Sequence, residues 1–197
     1  MLPLYLAALL TTSLNPDEAL KRLVEGNTRY VQEKGTCPDR VQERRAAVVA
    51  QQNPFAVIVG CSDSRVAPEL LFDQGIGDLF VVRIAGNVIG NTEMESTAYG
   101  VDELGCTLVM VLGHANCGAV KAVLSGETDE IPTISAAIKK GGSHSDSLDQ
   151  FIKNNARASA QVLRDSPQLK NTIATGKLKV VAAYYNLTTG SVELLQD

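Results

Sequence analysis

The chain of 197 residues is long enough to bury one sizeable hydrophobic core, and its 45% apolar and 20% charged residues are typical of a globular protein. A formal net charge of -4 argues against a nucleic-acid partner, because no basic stripe is available to neutralise phosphates. Four cysteines in a chain of this length do not make a disulfide framework, and two of them are spaced as metal ligands. The other two, Cys37 and Cys106, are expected to be buried or idle thiols, with a redox-sensing pair as the alternative.

A short apolar run occupies residues 2–10 at the start of the chain. It is too short to span a bilayer. It resembles the central part of a secretion signal, but the first basic residue is Lys21 and no Ala-x-Ala cleavage site follows. We therefore expect a cytoplasmic protein, and the alternative is an exported one if residues 1–14 are the remnant of a signal segment.

An amphipathic helix is predicted from Asn15 to about Glu33. Asn15 is a good capping residue, Pro16 suits the first helical position, and two carboxylates follow at the positive end of the helix dipole. No strand precedes this helix, so its apolar face must pack on the main body or on a second subunit. We expect the second subunit, with residues 1–34 forming an arm of one domain that spans residues 1–197.

Apolar runs and helical periodicities alternate along the rest of the chain. Runs rich in β-branched residues predict buried parallel strands, and the short turn at residues 188–191 makes the last strand antiparallel. The predicted fold class is therefore α/β, with a mostly parallel central sheet of four strands plus an antiparallel edge strand, flanked by helices. The predicted strands are residues 55–60, 79–84, 107–113, 178–185 and 192–195, and the predicted helices are residues 41–52, 68–72, 91–105, 116–125, 148–164 and 167–176.

Three local expectations accompany these elements. Thr92 is the expected cap of the helix at residues 91–105. Val162 is expected to face the core from the helix at residues 148–164. The polar stretch 126–147 is expected to be a surface excursion with one or two helical turns, in which His144 is an idle surface residue rather than a proton shuttle.

Two polar segments follow predicted strands. The segment Cys-Ser-Asp-Ser-Arg, residues 61–65, follows one strand, and His-Ala-Asn-Cys, residues 114–117, follows another. Open α/β sheets bind their ligands at the carboxyl ends of strands, where both segments lie. Because neighbouring strands are about 5 Å apart, Cys61 can meet His114 and Cys117 if their strands are adjacent. Two thiols and an imidazole are typical zinc ligands.

Three protein ligands leave one zinc position vacant, which indicates a catalytic rather than a structural site. A water in that position becomes a nucleophilic hydroxide near neutral pH. Two thiolates cancel the charge of the metal, so we expect a more alkaline working range than for a site of three imidazoles. Asp63 could take the vacant position, or the planar fork of Arg65 could hold Asp63 off the metal, where it would orient the hydroxide.

These motifs resemble those of the β-class carbonic anhydrases, and the similarity runs from about Asn15 to the C-terminus. The Phe-Val-Val-Arg strand of that family is matched by residues 80–83. The resemblance implies reversible hydration of carbon dioxide to bicarbonate and a proton, by attack of zinc-bound hydroxide. It also implies a homodimer or homotetramer with active sites at subunit interfaces. The zinc ligands would be Cys61, His114 and Cys117, with Asp63 and Arg65 as the catalytic pair.

The same resemblance implies a substrate pocket. Gln52 falls where the family has a glutamine that binds substrate oxygen, and Tyr99 falls at an active-site tyrosine. Phe80 and Ala85 match apolar wall positions, Ala85 being smaller than the usual valine, and Gly118 follows the last zinc ligand. Some bacterial members bind inhibitory bicarbonate with a tryptophan; this chain has none, so that regulation is not expected.

Four alternatives fit part of the pattern. Asp63 as a fourth ligand would make a closed structural site, although Arg65 would then have no purpose. A zinc or thiol scaffold without turnover is the second, and a hydrolase with Cys61 as nucleophile and His114 as base is the third. Enzymes of similar fold also hydrolyse carbonyl sulfide or carbon disulfide with the same ligand set, so the choice of substrate stays open.

Overall fold

A computed structural model describes residues 14–36, 42–141 and 147–196 of the chain. The apolar run of residues 2–10, Cys37 and His144 lie outside these residues. Within the described part, no helix is both long and apolar enough to cross a membrane.

The described residues form one five-stranded sheet flanked by helices, as the sequence predicts. The strands are β1 (Ala56–Gly60), β2 (Leu79–Arg83), β3 (Leu108–His114), β4 (Lys179–Tyr185) and β5 (Val192–Leu195). Their order is β2-β1-β3-β4-β5. The first four are parallel, and β5 pairs with β4 in the antiparallel sense. The strands that precede the two polar segments, β1 and β3, are therefore neighbours.

The helices cover both faces of the sheet. They are α1 (Pro16–Val31), α2 (Gln42–Val48), α3 (Pro68–Leu71), α4 (Asn91–Asp102), α5 (Gly118–Ser125), α6 (Pro132–Gly141), α7 (Leu148–Arg164) and α8 (Lys170–Ala174). Alternate residues of β1 point to opposite faces: Val57 and Val59 pack with α4, α5 and α7, whereas Ala56 and Ile58 pack with α1 and α3. Burial on both faces explains why β1 and β3 are continuous apolar runs.

Several helix boundaries differ from the predicted ones. Helix α2 ends at Val48 instead of residue 52, because the chain must extend before Pro54 to enter β1. Helix α8 begins at Lys170, after a turn at residues 167–169. Helix α6 is longer than the predicted one or two turns, at ten residues.

Two of the local expectations are wrong. Helix α4 is capped at Gly90, whose N–H donates to the carboxylate of Glu93 at 3.0 Å, while Thr92 lies inside the first turn. In α7, Val162 is 48% exposed. The buried face of α7 includes the polar residues Asn155 and Ser159. A prediction from apolar residues alone therefore assigns the wrong face of the helix to the core.

Helix α1 packs on the body of its own chain. The cap is as predicted: the side chain of Asn15 accepts hydrogen bonds from the N–H groups of Asp17 and Glu18. Ala19 and Leu23 are fully buried against the sheet. On the other side of the helix, apolar side chains such as that of Val31 remain exposed, and their packing on a partner subunit stays a prediction.

Asn27 ties α1 to two distant segments. Its side-chain amide donates to Leu71 O at 3.0 Å and to Gly190 O at 2.9 Å, and its Oδ1 accepts the N–H of Val192 at 2.9 Å. These bonds join the N-terminal helix to the end of α3 and to the turn before β5. Because Asn27 is buried, the loss of any of these hydrogen bonds would leave an unpaired polar group and destabilise the fold.

Gly26 allows α1 to approach the chain just after α3. A Cβ atom at this position would lie 1.8 Å from the carbonyl oxygen of Phe72. We expect Gly26→Ala to lower the free energy of unfolding by about 1 to 3 kcal/mol, although alanine is normally the better helix former. Urea unfolding followed by circular dichroism would measure this, with Val24→Ala, at an exposed site of the same helix, as the control. A Gly26→Ala variant as stable as the parent would contradict this packing.

Candidate metal centre

Two cysteines and a histidine converge at the carboxyl edge of the sheet. Cys61 follows the last residue of β1, His114 ends β3, and Cys117 is the residue before α5. Their ligand atoms, two Sγ and one ring nitrogen, all lie within 4.8 Å of one another. All three residues are buried. Among the described residues, this is the one group of three or more Cys, His, Asp or Glu side chains that could hold a metal ion.

The imidazole of His114 is oriented by the backbone. Its Nδ1 lies 2.9 Å from the carbonyl oxygen of Ala115, and since a carbonyl only accepts, Nδ1 carries the hydrogen and donates. In the neutral imidazole, the other nitrogen, Nε2, then presents a lone pair. It is buried, and no hydrogen-bond partner for it exists in the part of the chain described. A buried lone pair held in this way is what a metal ligand requires.

The pKa values of the two cysteines shift in opposite directions. The hydrogen bond from the Cys117 thiol lowers the pKa of Cys61 to about 4, against the opposing effect of burial. The pKa of Cys117 is raised because its thiol donates to Cys61 and because it is buried. The backbone N–H of Gly86 also donates to Cys61 Sγ, at 3.3 Å. A divalent cation bound by both sulfurs would hold both as thiolates, with release of any proton they carry.

Asp63 borders this group but is held by Arg65. The Nε of Arg65 donates to Asp63 Oδ1 at 2.9 Å, and its Nη2 donates to Oδ2 at 2.7 Å. The Arg65 side chain thereby holds the pKa of Asp63 well below its usual range. Asp63 Oδ2 is 3.9 Å from His114 Nε2. The carboxylate thus lies beside the three ligand atoms while both its oxygens are committed to Arg65.

The residues matched to a substrate pocket are spread over several elements. Gln52 is exposed in the irregular stretch before β1. The rings of Phe80, on β2, and Tyr99, on α4, lie 6.1 Å apart, and Tyr99 is 49% exposed. Ala85 begins the turn that carries Gly86, and Gly118 is the first residue of α5. Among the described residues, no hydrogen bond joins Gln52 or Tyr99 to the three ligands, so their roles stay predictions.

The turn after β2 contributes residues that the sequence patterns did not reveal. Gly86, which donates to Cys61 Sγ, has a φ of 72°, and a Cβ there would lie 3.0 Å from Ile138 Cδ1. The buried amide of Asn155 donates to Gly86 O at 2.8 Å and fixes the turn. The side-chain amide of Asn87 is buried without a partner in the described part of the chain. The Ala-Gly-Asn sequence directly after a predicted strand is the feature from which this turn could have been predicted.

Cys106 is a buried thiol outside the metal centre, which agrees with the prediction of a buried or idle thiol. Its Sγ donates to the carbonyl of Pro54 at 3.4 Å. Burial raises the pKa of Cys106 to about 12, so the thiol stays protonated and unreactive at neutral pH.

Comparison with known proteins agrees with this geometry. A family model described as carbonic anhydrase matches residues 56–192. The carbonic anhydrase of Mycolicibacterium smegmatis is 41% identical over 194 residues, which cover 91% of this chain and 93% of that protein. A solved structure of the Coccomyxa β-carbonic anhydrase in complex with acetazolamide is 30% identical, with a TM-score of 0.63 over 89% of this chain and 86% of that one.

The chain belongs to the β-class carbonic anhydrase family. The α/β fold and the enzyme class predicted from the sequence are thereby confirmed. A tetrameric β-carbonic anhydrase from Sordaria macrospora has the same fold, with a TM-score of 0.66, 21% identity, and coverage of 90% of this chain and 97% of that one. In this carbonic anhydrase fold, the two polar segments predicted to carry the chemistry meet at one edge of the sheet.

Proposed function

We propose that the chain catalyses the reversible hydration of carbon dioxide to bicarbonate and a proton, with Zn²⁺ held by Cys61, His114 and Cys117. The observation that carries the proposal is the buried Nε2 of His114, which has no hydrogen-bond partner among the described residues and belongs to a group of ligand atoms, with two buried cysteine sulfurs, that lie within 4.8 Å of one another. Two sulfurs and one imidazole suit zinc, and three protein ligands leave a position open. Bound zinc would supply an acidified water, so that hydroxide is available near neutral pH.

Asp63 and Arg65 would orient the attacking group. Arg65 occupies both oxygens of the carboxylate and keeps it ionised, so Asp63 can accept a hydrogen bond but cannot donate one. An acceptor at this place selects a hydroxyl hydrogen and turns the oxygen lone pair towards the carbon of carbon dioxide. Arg65 would also prevent Asp63 from becoming a ligand itself, because both hydrogen bonds from Arg65 must break before the carboxylate can turn towards His114.

The substrate pocket would be completed in a homodimer or homotetramer. Gln52 would orient one oxygen of carbon dioxide, and Phe80, Ala85, Tyr99 and Gly118 would line the walls. Strand β2 is an edge strand whose apolar side chains are partly exposed, and the Phe80–Tyr99 pair lies on that side. An edge of this kind is normally covered, and the Sordaria macrospora neighbour is tetrameric. Both observations support an active site at a subunit interface.

Stopped-flow measurement of carbon dioxide hydration, run beside carbonyl sulfide hydrolysis, tests the proposal. We expect the zinc-loaded protein to hydrate carbon dioxide much faster than it hydrolyses carbonyl sulfide. The rate should rise with pH through the neutral and alkaline range, since the nucleophile forms by loss of a proton and two anionic ligands make that loss harder. Asp63, whose pKa is depressed, should add no titration of its own there.

The control is the same protein after zinc removal with a chelator, which should be inactive and should recover when zinc is returned. A zinc-loaded protein that leaves carbon dioxide hydration at its uncatalysed rate would contradict the proposal. Preference for carbonyl sulfide over carbon dioxide would assign the chain to the hydrolases of the same fold instead.

A further inference from the structure

Arg83, the last residue of β2, reaches from the edge strand to the backbone of the metal-binding loop, which we define as residues 61–63. Its Nε donates to the carbonyl oxygen of Cys61 at 3.0 Å, and its Nη2 donates to the carbonyl oxygen of Asp63 at 2.6 Å. The ladder between β1 and β2 ends where Gly60 lies opposite Arg83. Beyond that point, the guanidinium continues the cross-strand hydrogen bonding to the loop.

The position of the metal-binding loop decides where the Asp63 carboxylate lies. That carboxylate has two competing neighbours: Arg65, at 2.7 and 2.9 Å, and the metal-ligand group, with His114 Nε2 at 3.9 Å. These distances differ by little more than 1 Å, so a small backbone shift at Asp63 would change the balance between them. The Asp63 carbonyl is held from two sides, by Arg83 and by the N–H of Val66 at 3.0 Å.

We propose that Arg83 is a positioning residue, which holds the metal-binding loop so that the Asp63 carboxylate stays on Arg65 and out of the open metal position. This inference rests on the proposed function and deepens it. Within the described residues, the hydrogen bonds of the Arg83 side chain all go to backbone carbonyls of the loop, so it acts through Asp63 and not on substrate. The two carbonyls require a planar fork with two fixed N–H directions, which the point charge of lysine does not supply.

The test uses Arg83→Lys and Arg83→Gln in protein whose zinc has been replaced by Co²⁺, because the visible spectrum of cobalt reports its ligands directly. In the parent protein the spectrum should change with pH, as a solvent ligand titrates. In both variants we expect cobalt to bind at one ion per chain but with a spectrum that no longer responds to pH, as a carboxylate fills the open position. With zinc bound, turnover near neutral pH should fall between about tenfold and a hundredfold.

Arg157→Gln is the matched control. Its Nε likewise donates to a backbone carbonyl, that of Gln196 at 2.7 Å, but from α7 and outside the metal-binding loop. This variant should keep the parental spectrum and turnover. A third variant, Arg83→Ala, should regain part of its turnover and pH response when methylguanidinium is added, because the fork can then be supplied from solution.

Parental cobalt spectra and pH profiles in the Arg83 variants would overturn the inference. Loss of metal and of helical circular dichroism in every Arg83 variant, without rescue by methylguanidinium, would also overturn it and make Arg83 a folding residue. A different result would contradict the proposed function itself. If the zinc-loaded parent and Arg157→Gln do not hydrate carbon dioxide, the proposed function is wrong, whatever the spectra of the Arg83 variants show.

Discussion

Replacing Cys61 by serine, or His114 by alanine, is expected to remove zinc and carbon dioxide hydration together. Each change deletes one of three ligand atoms that lie within 4.8 Å of one another, and serine offers a hard, protonated oxygen in place of a thiolate. Zinc content after gel filtration should fall from one ion per chain to a small fraction. Hydration measured by stopped flow should fall to the rate without enzyme.

Cys106→Ser is the matched control for this prediction. Cys106 is also a buried cysteine, but its thiol bonds to the carbonyl of Pro54 and lies outside the ligand group. This variant should keep zinc and activity, with some loss of stability at most. A Cys61 or His114 variant that turned over carbon dioxide without bound metal would exclude the zinc mechanism. Alkylation of both Cys61 and Cys117 in zinc-loaded protein would favour a free cysteine nucleophile instead.

Asp63→Asn is expected to keep zinc but lose most turnover. The amide has nearly the same shape as the carboxylate, but it lacks the negative charge that pairs with Arg65. Its NH2 group donates hydrogen bonds where a carboxylate oxygen accepts them. We expect turnover to fall by about a hundredfold to ten-thousandfold, within the range of a positioned proton acceptor. Because the pKa of Asp63 lies well below its usual range, the carboxylate is ionised throughout the neutral range, and the loss should not depend on pH there.

Asp165→Asn, at the end of α7, provides the comparison for Asp63→Asn. The side chain of Asp165 accepts a hydrogen bond from Gln161 on the surface and has no part in the metal centre. It should leave both zinc content and turnover unchanged. Full activity in Asp63→Asn would remove the Asp63–Arg65 pair from the mechanism, and loss of zinc in that variant would show that Asp63 is a ligand.

The sequence predicted the sheet and the meeting of the two polar segments because both depend on local patterns. Strands β1 and β3 are buried on both faces, so each is a continuous apolar run that can be recognised without a partner. The segments that contain Cys61 and His114 come directly after those runs. Once β1 and β3 are neighbours, the geometry of a parallel sheet places the two segments at the same edge.

Features that depend on buried polar residues could not be predicted in the same way. The prediction that Val162 faces the core is wrong because it counted apolar residues alone. The buried stripe of α7 runs through the polar residues Asn155 and Ser159, whose burial depends on the partners they meet. Asn155 binds the carbonyl of Gly86, a contact across 69 positions of sequence. Arg83 likewise acts on backbone carbonyl groups of the metal-binding loop, and a backbone carbonyl gives no signal in the sequence.

The predicted substrate pocket shows a third kind of limit. Phe80 and Tyr99 pack together on the edge-strand side of the chain, and Tyr99 is half exposed. In the proposed oligomer a second chain completes this pocket, and the placement of that chain is a property of the assembly and not of one sequence. Their positions were taken from the family resemblance, whereas the positions of the metal ligands also followed from the order of the strands.

X-ray absorption at the zinc edge tests the central claim most directly, because it counts the sulfur and light-atom neighbours of the bound ion. For the protein loaded with one zinc per chain, we predict two sulfur neighbours from Cys61 and Cys117, one imidazole nitrogen from His114, and one further oxygen that persists in Asp63→Asn. A zinc shell without two sulfurs, or one that loses its oxygen neighbour in Asp63→Asn, would contradict an open site formed by these three residues.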